Sequence, residues 1–385
     1  MATLFWVCLF GAVYSYLLYP LLLLLISRLR KSRNGDQTVA TPSEEGAGGY
    51  KISIIIAAHN EAARIEQKLE QTLALDYPLA IREIIVASDA SDDGTDQIVQ
   101  QFANRGVILV RSDQRLGKEH AQQLAVQKAT GELLIFTDTG TTIESDSLRA
   151  ATRYFDDPQV GAISSVDRLI SKDGSPAGEG LYVKYEMALR RLESRINSLV
   201  GLSGSFFAAR RSLCLDWDTS IPSDFNTAMN CIKQGYRAVN ADDVIGLYPD
   251  IENPAKEYPR KRRTVLRGVS ALASNRELLN PARYPLVAFQ LWSHKIMRWA
   301  VPWFQIPLLI TNLFIAHVNA FYALILTGHL LLLGAALIGS VVTPRPTNMA
   351  LKIPAFFMQV NIASAHAVID YFRGQRMVTW SPSKR

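Results

Sequence analysis

Residues 132–138 read ELLIFTD, an apolar run that ends on a single carboxylate, that of Asp138. Three earlier stretches have the same form: KISIIIAAHN at 51–60, IREIIVASDAS at 81–91 and VILVRSD at 107–113. Stretches in which apolar side chains recur at helical spacing lie between these runs. Apolar strands that alternate with helices predict βαβ units, and therefore an α/β fold with a mostly parallel sheet and helices on both of its faces.

Polar side chains stand at the ends of these runs. His59 and Asn60 follow the first run, Asp89 closes the second and Asp138 closes the fourth. Ligands of parallel α/β sheets bind beyond the carboxyl ends of the strands. The sequence therefore predicts a ligand site where these side chains meet.

The first part of the chain is apolar enough to cross a bilayer. Residues 3–26 carry no charge, which predicts a transmembrane helix over residues 1–27. A cleaved signal peptide is the alternative, but the run is too long and no small-residue cleavage site follows it. A basic flank comes next, with Arg28, Arg30, Lys31 and Arg33. The positive-inside rule then puts this flank, and a Gly- and Ser-rich linker that extends to residue 49, in the cytoplasm.

The rest of the chain divides by composition into a polar domain and a second apolar region. Residues 50–280 are the predicted cytoplasmic domain, and residues 281–298 mix aromatic and basic side chains as an interfacial helix does. Residues 299–342 predict a transmembrane hairpin. Residues 350–371 carry several polar side chains, so a further span and a re-entrant or interfacial segment both remain open, and residues 372–385 form a basic tail.

The net charge of +6 is concentrated beside the apolar segments, at 28–33 and 256–267. This placement favours anionic lipid or bound phosphate over nucleic acid as the partner of these residues. The three cysteines, Cys8, Cys214 and Cys231, have neither the spacing of a disulfide framework nor that of a metal site.

Several short motifs follow one another in the predicted cytoplasmic domain. They are AAHNE at 57–61, SDASDDGTD at 88–96, RLGKEH at 115–120, DTG at 138–140, SGS at 203–205, SDF at 223–225 with QGYR at 234–237, and EYPRKRRTVLRG at 257–268. Their order resembles that of the family-two glycosyltransferases of GT-A fold, which include cellulose, chitin and hyaluronan synthases and bacterial exopolysaccharide transferases. The resemblance covers about residues 50–270, and it implies a nucleotide diphosphate sugar as the donor.

The first three motifs resemble the donor-binding part of that family. The resemblance implies donor contacts from Ala57, Asn60 and Glu61, although the proline of the family pattern is missing. Asp89 would hold the base or ribose of the nucleotide, since a carboxylate accepts two hydrogen bonds from such edges. Lys118 would reach the diphosphate from the start of a helix, with a solvated lysine as the alternative.

Asp92 and Asp93 stand before a predicted helix that begins near Thr95. Aspartate is a favoured residue at such helix starts, because its carboxylate accepts the first backbone N–H groups. We therefore interpret both residues as helix caps.

The DTG motif stands where the family has two acids that bind a divalent cation. Asp138 matches the first acid, and the resemblance implies that it binds Mg²⁺ or Mn²⁺, while Gly140 occupies the position of the second. Three alternatives are open for this site. The metal ion could be held by Asp138 with phosphate and water, it could be assisted by Thr141, Thr142 or Glu144, or arginines could replace its charge.

The next two motifs resemble the acceptor side of the family. Ser203, Gly204 and Ser205 would let an acceptor lie against the backbone, and a plain tight turn is the alternative. Ser223 replaces the usual glutamate, and Asp224 would be the catalytic general base, which removes the proton of the acceptor hydroxyl. Asp224 as a simple helix N-cap is the alternative.

The last motif resembles a Gln-x-x-Arg-Trp sequence. Arg260 and Arg263 would bind the pyrophosphate, because a guanidinium pairs with phosphate oxygens in a planar fork. We interpret Lys261 and Arg262 as a basic surface at the membrane. Thr264 stands where processive synthases have tryptophan, which weakens the case for long-chain polymerisation.

These observations favour an inverting hexosyltransferase, multi-pass in the inner (plasma) membrane of a bacterium, with its catalytic domain in the cytoplasm. It would move a sugar from a nucleotide diphosphate donor, with uridine as the expected nucleoside, to a lipid-linked or glycan acceptor. Membrane lipids, a polysaccharide-assembly complex or a second copy of the chain are the expected partners, and nucleic acid is not. A processive polysaccharide synthase and a non-catalytic nucleotide-sugar-binding subunit are the two alternatives.

Overall fold

The computed structural model describes residues 1–34, 49–170, 181–249, 257–342 and 348–377. Most of the predicted linker, residue 256 of the second basic cluster and the end of the basic tail lie outside these described residues. The chain forms two compact units. The first is an α/β unit, and the second is a helical unit that combines the start of the chain with its last third.

The α/β unit is built on an eight-stranded mixed sheet with the strand order β3-β2-β1-β4-β7-β6-β8-β5. The strands are β1 (Ile52–Ala58), β2 (Arg82–Asp89), β3 (Val107–Ser112), β4 (Leu133–Asp138), β5 (Thr142–Ile143), β6 (Val160–Ile170), β7 (Phe206–Arg210) and β8 (Arg237–Pro249). The four strands from β3 to β4 are all parallel, which confirms the prediction from the four apolar runs.

The other half of the sheet changes direction. Strand β7 is antiparallel to both β4 and β6, β8 is parallel to β6, and the short edge strand β5 is antiparallel to β8. The first residue of β7, Phe206, pairs with Thr137 near the end of β4. The turn that precedes β7 therefore ends beside the carboxyl end of β4, at the edge where a parallel sheet binds its ligands.

Helices cover both faces of the sheet, as predicted. In this unit they are α3 (Ala62–Leu73), α4 (Thr95–Gln101), α5 (Lys118–Lys128), α6 (Ser147–Arg153), α7 (Leu181–Ile196) and α8 (Ser223–Lys233). Ile54 of β1 belongs to the core under α3, whereas its neighbour Ile55 belongs to the core under α5. Alternate residues of this strand point to opposite faces, so a strand covered on both sides must be apolar throughout.

The helical unit contains most of the apolar helices. The helices of the chain outside the sheet domain are α1 (Ala2–Val13), α2 (Tyr19–Asn34), α9 (Glu257–Ser274), α10 (Pro285–Gln290), α11 (Met297–Ile315), α12 (Ala320–Val341) and α13 (Met349–Phe372). Helix α1 packs on α11, where Gly11 lies against the ring of Phe304, and α13 packs on α9 and α12. Glycine is needed at position 11, since a Cβ atom there would lie 2.6 Å from that ring.

Two helices among the described residues are long and apolar enough to cross a membrane. They are Ala2–Leu29, which joins α1 and α2, and Ala320–Val341, which is α12. Helix α11 ends at Ile315, so a short turn separates it from α12. Helix α13 is continuous over 24 residues, and its buried polar side chains include Asn361, Ser364 and Asp370.

Candidate functional site

Asp138 lies at the centre of the predicted site. It is the last residue of β4 and pairs with Ala57 of β1, and the hydroxyl of Thr139 donates a hydrogen bond of 2.9 Å to the carbonyl of Ala57. The side chain of Asp138 remains 30% exposed. Of the three residues predicted around the first strand, Ala57 thus lies beside Asp138 in the sheet.

Lys118 connects Asp138 with the turn before β7. Its ammonium donates to Oδ1 of Asp138 at 2.5 Å and to the carbonyl of Gly204 at 3.0 Å. A backbone bond supports the same contact, since the N–H of Asp138 donates to the carbonyl of Ser205 at 3.1 Å. The structure therefore brings together the predicted donor residues Lys118 and Asp138 and the predicted acceptor turn.

The charge of Lys118 is stabilised by acids on both sides. Burial disfavours the ammonium, but the charge and hydrogen bond of Asp138, with smaller contributions from Glu119 and Asp224, raise the pKa of Lys118 above its ordinary value. Lys118 is accordingly a permanent cation at neutral pH. Lys118 contacts both Asp138 and the carbonyl of Gly204, and a Cβ atom at Gly204 would lie 3.3 Å from Oδ2 of Asp224, so the two acids lie near the same turn.

Asp224 approaches the acceptor turn from helix α8. It is the second residue of this helix and half-buried, and a Cβ atom added at Gly204 would lie 3.3 Å from its Oδ2 atom. Pro222 occupies the N-cap position without any side-chain cap, so the alternative of Asp224 as the N-cap is wrong. The absence of a side chain at residue 204 leaves room for this carboxylate.

Asp89 has a structural task in addition to any ligand contact. Its carboxylate is 3% exposed and accepts the backbone N–H groups of Leu116 at 2.9 Å and Gly117 at 3.1 Å. His59 Nδ1 lies 2.6 Å from the carbonyl of Asp89. The backbone of Gly117 has a positive φ of 104°, which favours glycine at this approach. Asp89 thereby fixes the loop that presents Lys118.

Asn60 and Asp92 pair across the first two strand ends. The amide of Asn60 donates to Oδ1 of Asp92 at 2.7 Å and accepts the N–H of Asp92 at 3.0 Å. Asp93 accepts the N–H of Ala62 and of Thr95, each at 3.0 Å, at the starts of α3 and α4. The N-cap of α4 is Gly94, so neither aspartate is the N-cap; Asp93 binds the first N–H groups of both helices from outside them, and Asp92 binds the neighbouring loop.

Glu61, the third residue of the first motif, is buried at the start of α3. Its N–H donates to the hydroxyl of Thr95 at 2.8 Å, and its carboxylate lies 3.5 Å from the guanidinium of Arg64. The structure thus places Asn60 and Glu61 in contacts between loops at the predicted edge of the sheet.

Two further charged residues at this edge were not among the predicted site residues. Lys68 of α3 is 2% exposed, and its ammonium donates to the hydroxyl of Thr137 at 3.0 Å and to the carbonyl of Thr141 at 2.5 Å. Burial lowers the pKa of Lys68 to about 7, against the opposing charge of Asp138. The sequence carried a signal for Lys68, because it stands three residues after Ile65 in the buried stripe of α3.

Asp167 of β6 is the second of these residues. Its Oδ1 atom accepts the hydroxyls of Ser203 at 2.6 Å and Ser205 at 3.0 Å, one on each side of Gly204. Burial raises the pKa of Asp167, while Arg190 and the serine hydroxyls oppose the rise. Asp167 thus holds the acceptor turn in shape, and the pattern of β6 gave no sign of this role.

The turn after Asp138 leaves open space for a divalent cation. Among the described residues, no group of three or more His, Cys, Asp or Glu side chains could hold a metal ion. Thr141 is buried, Thr142 belongs to β5, and Glu144 is exposed. A Cβ atom added at Gly140 meets no atom within 4 Å. Mg²⁺ commonly binds one or two carboxylates together with substrate phosphates and water, and Asp138 beside this space fits such a site.

The arginines of the last motif lie on α9, in the helical unit. Arg260 is 3.7 Å from Glu257 of its own helix, and Arg262 pairs with the buried Asp370 of α13 at 2.5 Å. The ammonium of Lys261 lies 5.5 Å from the ring centroid of Phe356. The guanidinium of Arg262 thus joins α9 to α13 within this unit, and the interpretation of Lys261 and Arg262 as a basic surface at the membrane stays a prediction.

Comparison with known proteins agrees with this fold. Residues 53–216 match the family described as glycosyl transferase family 2. Among solved structures, the chain is similar to the mannosyltransferase PcManGT from Pyrobaculum calidifontis in complex with GDP-Man and Mn²⁺. The similarity has a TM-score of 0.69 at 24% identity and covers 94% of this chain and 98% of that chain.

Two curated relatives are poly-beta-1,6-N-acetyl-D-glucosamine synthases. The one from Staphylococcus aureus (strain COL) is 25% identical over 244 residues, which cover 61% of this chain and 55% of the relative. The one from Staphylococcus epidermidis is 28% identical over 178 residues, which cover 44% of this chain and 42% of the relative. The chain thus spans about half the length of the curated relatives that it matches.

The mixed sheet has the GT-A fold of the solved mannosyltransferase. Over residues 53–216 the chain is similar to glycosyl transferase family 2, in agreement with the resemblance of its motifs.

Proposed function

We propose that the chain is an inverting hexosyltransferase that uses a nucleotide diphosphate sugar, with uridine as the expected nucleoside. The observation that supports this proposal most directly is the position of Lys118, which contacts Asp138 and the carbonyl of Gly204, next to which Oδ2 of Asp224 lies. The proposed donor-binding acid and the proposed base thus lie on two sides of one turn, as a direct displacement at an anomeric carbon requires.

In this proposal Asp224 is the general base. Its carboxylate, next to Gly204, removes the proton of the acceptor hydroxyl as the oxygen attacks the anomeric carbon. Attack from the side opposite the diphosphate inverts the configuration at that carbon. Lys118, between the two acids, binds the diphosphate and stabilises the negative charge that develops on it.

Asp138 would hold Mg²⁺ or Mn²⁺ together with oxygens of the diphosphate. When bound, the cation would withdraw negative charge from the leaving group. The pyrophosphate contacts predicted for Arg260 and Arg263 of α9 remain part of the proposal, and Asp89 and Asn60 are proposed to border the nucleoside. Ser203 and Ser205, held by Asp167, are proposed to line the path of the acceptor.

The acceptor is proposed to be a glycan or lipid-linked sugar at the cytoplasmic face of the inner membrane. The two helices that could span a bilayer and the polymer-forming relatives favour a membrane-associated acceptor. The names of these relatives also favour a second candidate, repeated addition of N-acetylglucosamine to a growing chain. Product length decides between them, since single transfer gives one added sugar and processive transfer gives a ladder.

The test of the proposal is release of nucleoside diphosphate by the purified full chain, screened over nucleotide sugars with the Asp224→Asn variant beside the wild type. We expect kcat to fall by about 10²–10⁴-fold, because the base is lost while the donor contacts remain. The exposed Asp216→Asn, eight residues earlier in the chain, is the matched control and keeps its activity. Equal turnover by Asp224→Asn and wild type would show that Asp224 is not the base. No turnover by the wild type with any donor would leave only a nucleotide-sugar-binding subunit.

A further inference from the structure

Lys68 is a buried cation for which the proposed reaction has no use. It stands in the apolar stripe of α3, between Ile65 and Leu69 of the core, with 2% of its surface exposed. A lysine in such surroundings is costly, because burial removes the water around its charge. An aliphatic side chain would fill the same stripe without that cost.

The partners of Lys68 lie at the two ends of the turn that carries Asp138. The N–H of Thr141 donates to the carbonyl of Asp138 at 3.1 Å, which closes a tight turn over residues 138–141. The Lys68 ammonium donates to the hydroxyl of Thr137 before this turn and to the carbonyl of Thr141 at its end. One buried cation therefore fixes both ends of the segment that carries Asp138 and Gly140.

The charge of Lys68 also acts on Asp138 itself. The carboxylate favours the ammonium form of Lys68 and partly offsets the effect of burial. Lys118 contacts this carboxylate directly. Two lysines thus act on Asp138, while Gly140 adds no negative charge. When Lys68 is protonated, the two ammonium groups offset the carboxylates of Asp138 and Asp224, which suits an anionic diphosphate before any metal ion arrives.

We propose that Lys68 is a positioning residue that fixes the Asp138–Thr141 turn and provides positive charge behind it, so that the donor diphosphate binds with reduced dependence on a divalent cation. This inference rests on the proposed function, since it takes a diphosphate as the ligand. It gives helix α3 a role in donor binding, although Lys68 lies outside all the motifs of the sequence.

The experiment measures binding of uridine diphosphate to the full chain in detergent by calorimetry at pH 6, where Lys68 is protonated, in EDTA and in Mn²⁺. Lys68→Met removes the charge and the hydrogen bonds, and Lys68→Gln removes the charge but keeps a donor. Lys128→Met, which removes an exposed lysine of α5, is the matched control. Mn²⁺ binding is read separately from its paramagnetic resonance signal.

We expect both Lys68 variants to raise the Kd in EDTA by about tenfold, and to raise it much less in Mn²⁺, because the cation replaces the missing charge. Lys128→Met should bind like the wild type. Melting curves identify a variant that fails to fold, in which case Lys68→Gln alone decides. If a folded Lys68 variant has the wild-type Kd in EDTA, the inference is wrong. If the wild type binds none of uridine, guanosine and adenosine diphosphate, the proposed function itself fails.

Discussion

Single residues set the charge of the proposed donor site. Asp138 has one carboxylate, two lysines act on it, and the space next to it at Gly140 is open. Hard cations prefer anionic oxygen ligands, so a site with one carboxylate depends on the substrate phosphates for its affinity for metal. This balance of charges can be changed by substitution of one residue at a time.

Gly140→Asp should strengthen the binding of a divalent cation. Its backbone φ is not positive, and its Cβ position is free of contacts, so an aspartate can be accommodated without strain. We expect the Mn²⁺ concentration for half-maximal turnover to fall by about tenfold, since a second carboxylate joins the first. Gly140→Ala is the control, and it should leave the Mn²⁺ titration unchanged. An unchanged titration for Gly140→Asp would show that residue 140 does not face the cation.

Lys68 should make the stability of the protein depend on pH. Its pKa is about 7 in the folded chain, against an ordinary value of 10.5 in the unfolded chain. Between these values the unfolded chain binds a proton that the folded chain does not, so stability increases as the pH rises from about 7 towards 10. Below pH 7 both states are protonated, and this contribution is constant.

The measurement is the difference in Tm between wild type and Lys68→Met at pH 6, 7, 8 and 9. We expect this difference to stay constant up to pH 7 and then to increase in favour of the wild type. The same difference for Lys128→Met should be flat over the whole range. A flat profile for Lys68→Met would mean that Lys68 keeps its ordinary pKa in the folded protein.

At the scale of secondary structure, the site depends on how strand β7 enters the sheet. Because β7 is antiparallel to β4, its preceding turn lies at the carboxyl end of β4, and the turn brings Gly204 beside Asp224. Three elements, β4, the turn before β7 and the first turn of α8, thus meet at one point. This arrangement sets the distance between Asp138, the proposed donor-binding acid, and Asp224, the proposed base.

Gly204→Ala should reduce turnover without unfolding the protein. The added Cβ atom would lie 3.3 Å from Oδ2 of Asp224, so the carboxylate must move by a few tenths of an ångström. We expect kcat to fall by about tenfold, because catalysis is sensitive to small displacements of the base. Gly201→Ala, in the same turn, is the control, since its Cβ atom would make an ordinary contact of 3.6 Å with the Phe225 ring. Equal effects of the two variants would point to a general loss of the turn.

The sequence predicted the parallel half of the sheet well, because an apolar run that ends in polar residues identifies both the strand and the edge at which it ends. It did not predict that β7 is antiparallel, since FFAAR is equally apolar in either direction and only pairing with β4 and β6 decides. The partners of Asp89 could not be predicted for a related reason. They are the backbone N–H groups of residues 116 and 117, and because nearly every residue has such a group, the sequence does not indicate which of them bind Asp89.

At the scale of the whole molecule, the distribution of apolar helices predicts how the chain crosses the membrane. Ala2–Leu29 and Ala320–Val341 could span a bilayer, and basic residues follow the first of them. With the α/β unit in the cytoplasm, the turn at residues 316–319 is expected on the opposite side. All three cysteines are buried, so single introduced cysteines can be followed with little background.

Val318→Cys should react with a membrane-impermeant maleimide added to intact cells, because Val318 is 61% exposed in the turn between α11 and α12. Leu79→Cys is the matched control, since Leu79 is 74% exposed in the α/β unit. We expect Leu79→Cys to react only after lysis. If Leu79→Cys reacts in intact cells, the predicted orientation is wrong, and if Val318→Cys needs lysis, α11 and α12 do not form a spanning hairpin.

The bond from the N–H of Asp138 to the carbonyl of Ser205 has a consequence for the redesign of this enzyme. It fixes Ser205, the last residue of the segment before β7, against the end of β4, so the rest of that segment can be exchanged. A chimera that receives a segment of equal length from another family member, ending in Gly-Ser, should change which acceptor is used and keep the donor. An insertion just before Phe206 would shift the pairing of Ser205 with Asp138, and we expect it to impair both donor binding and acceptor use.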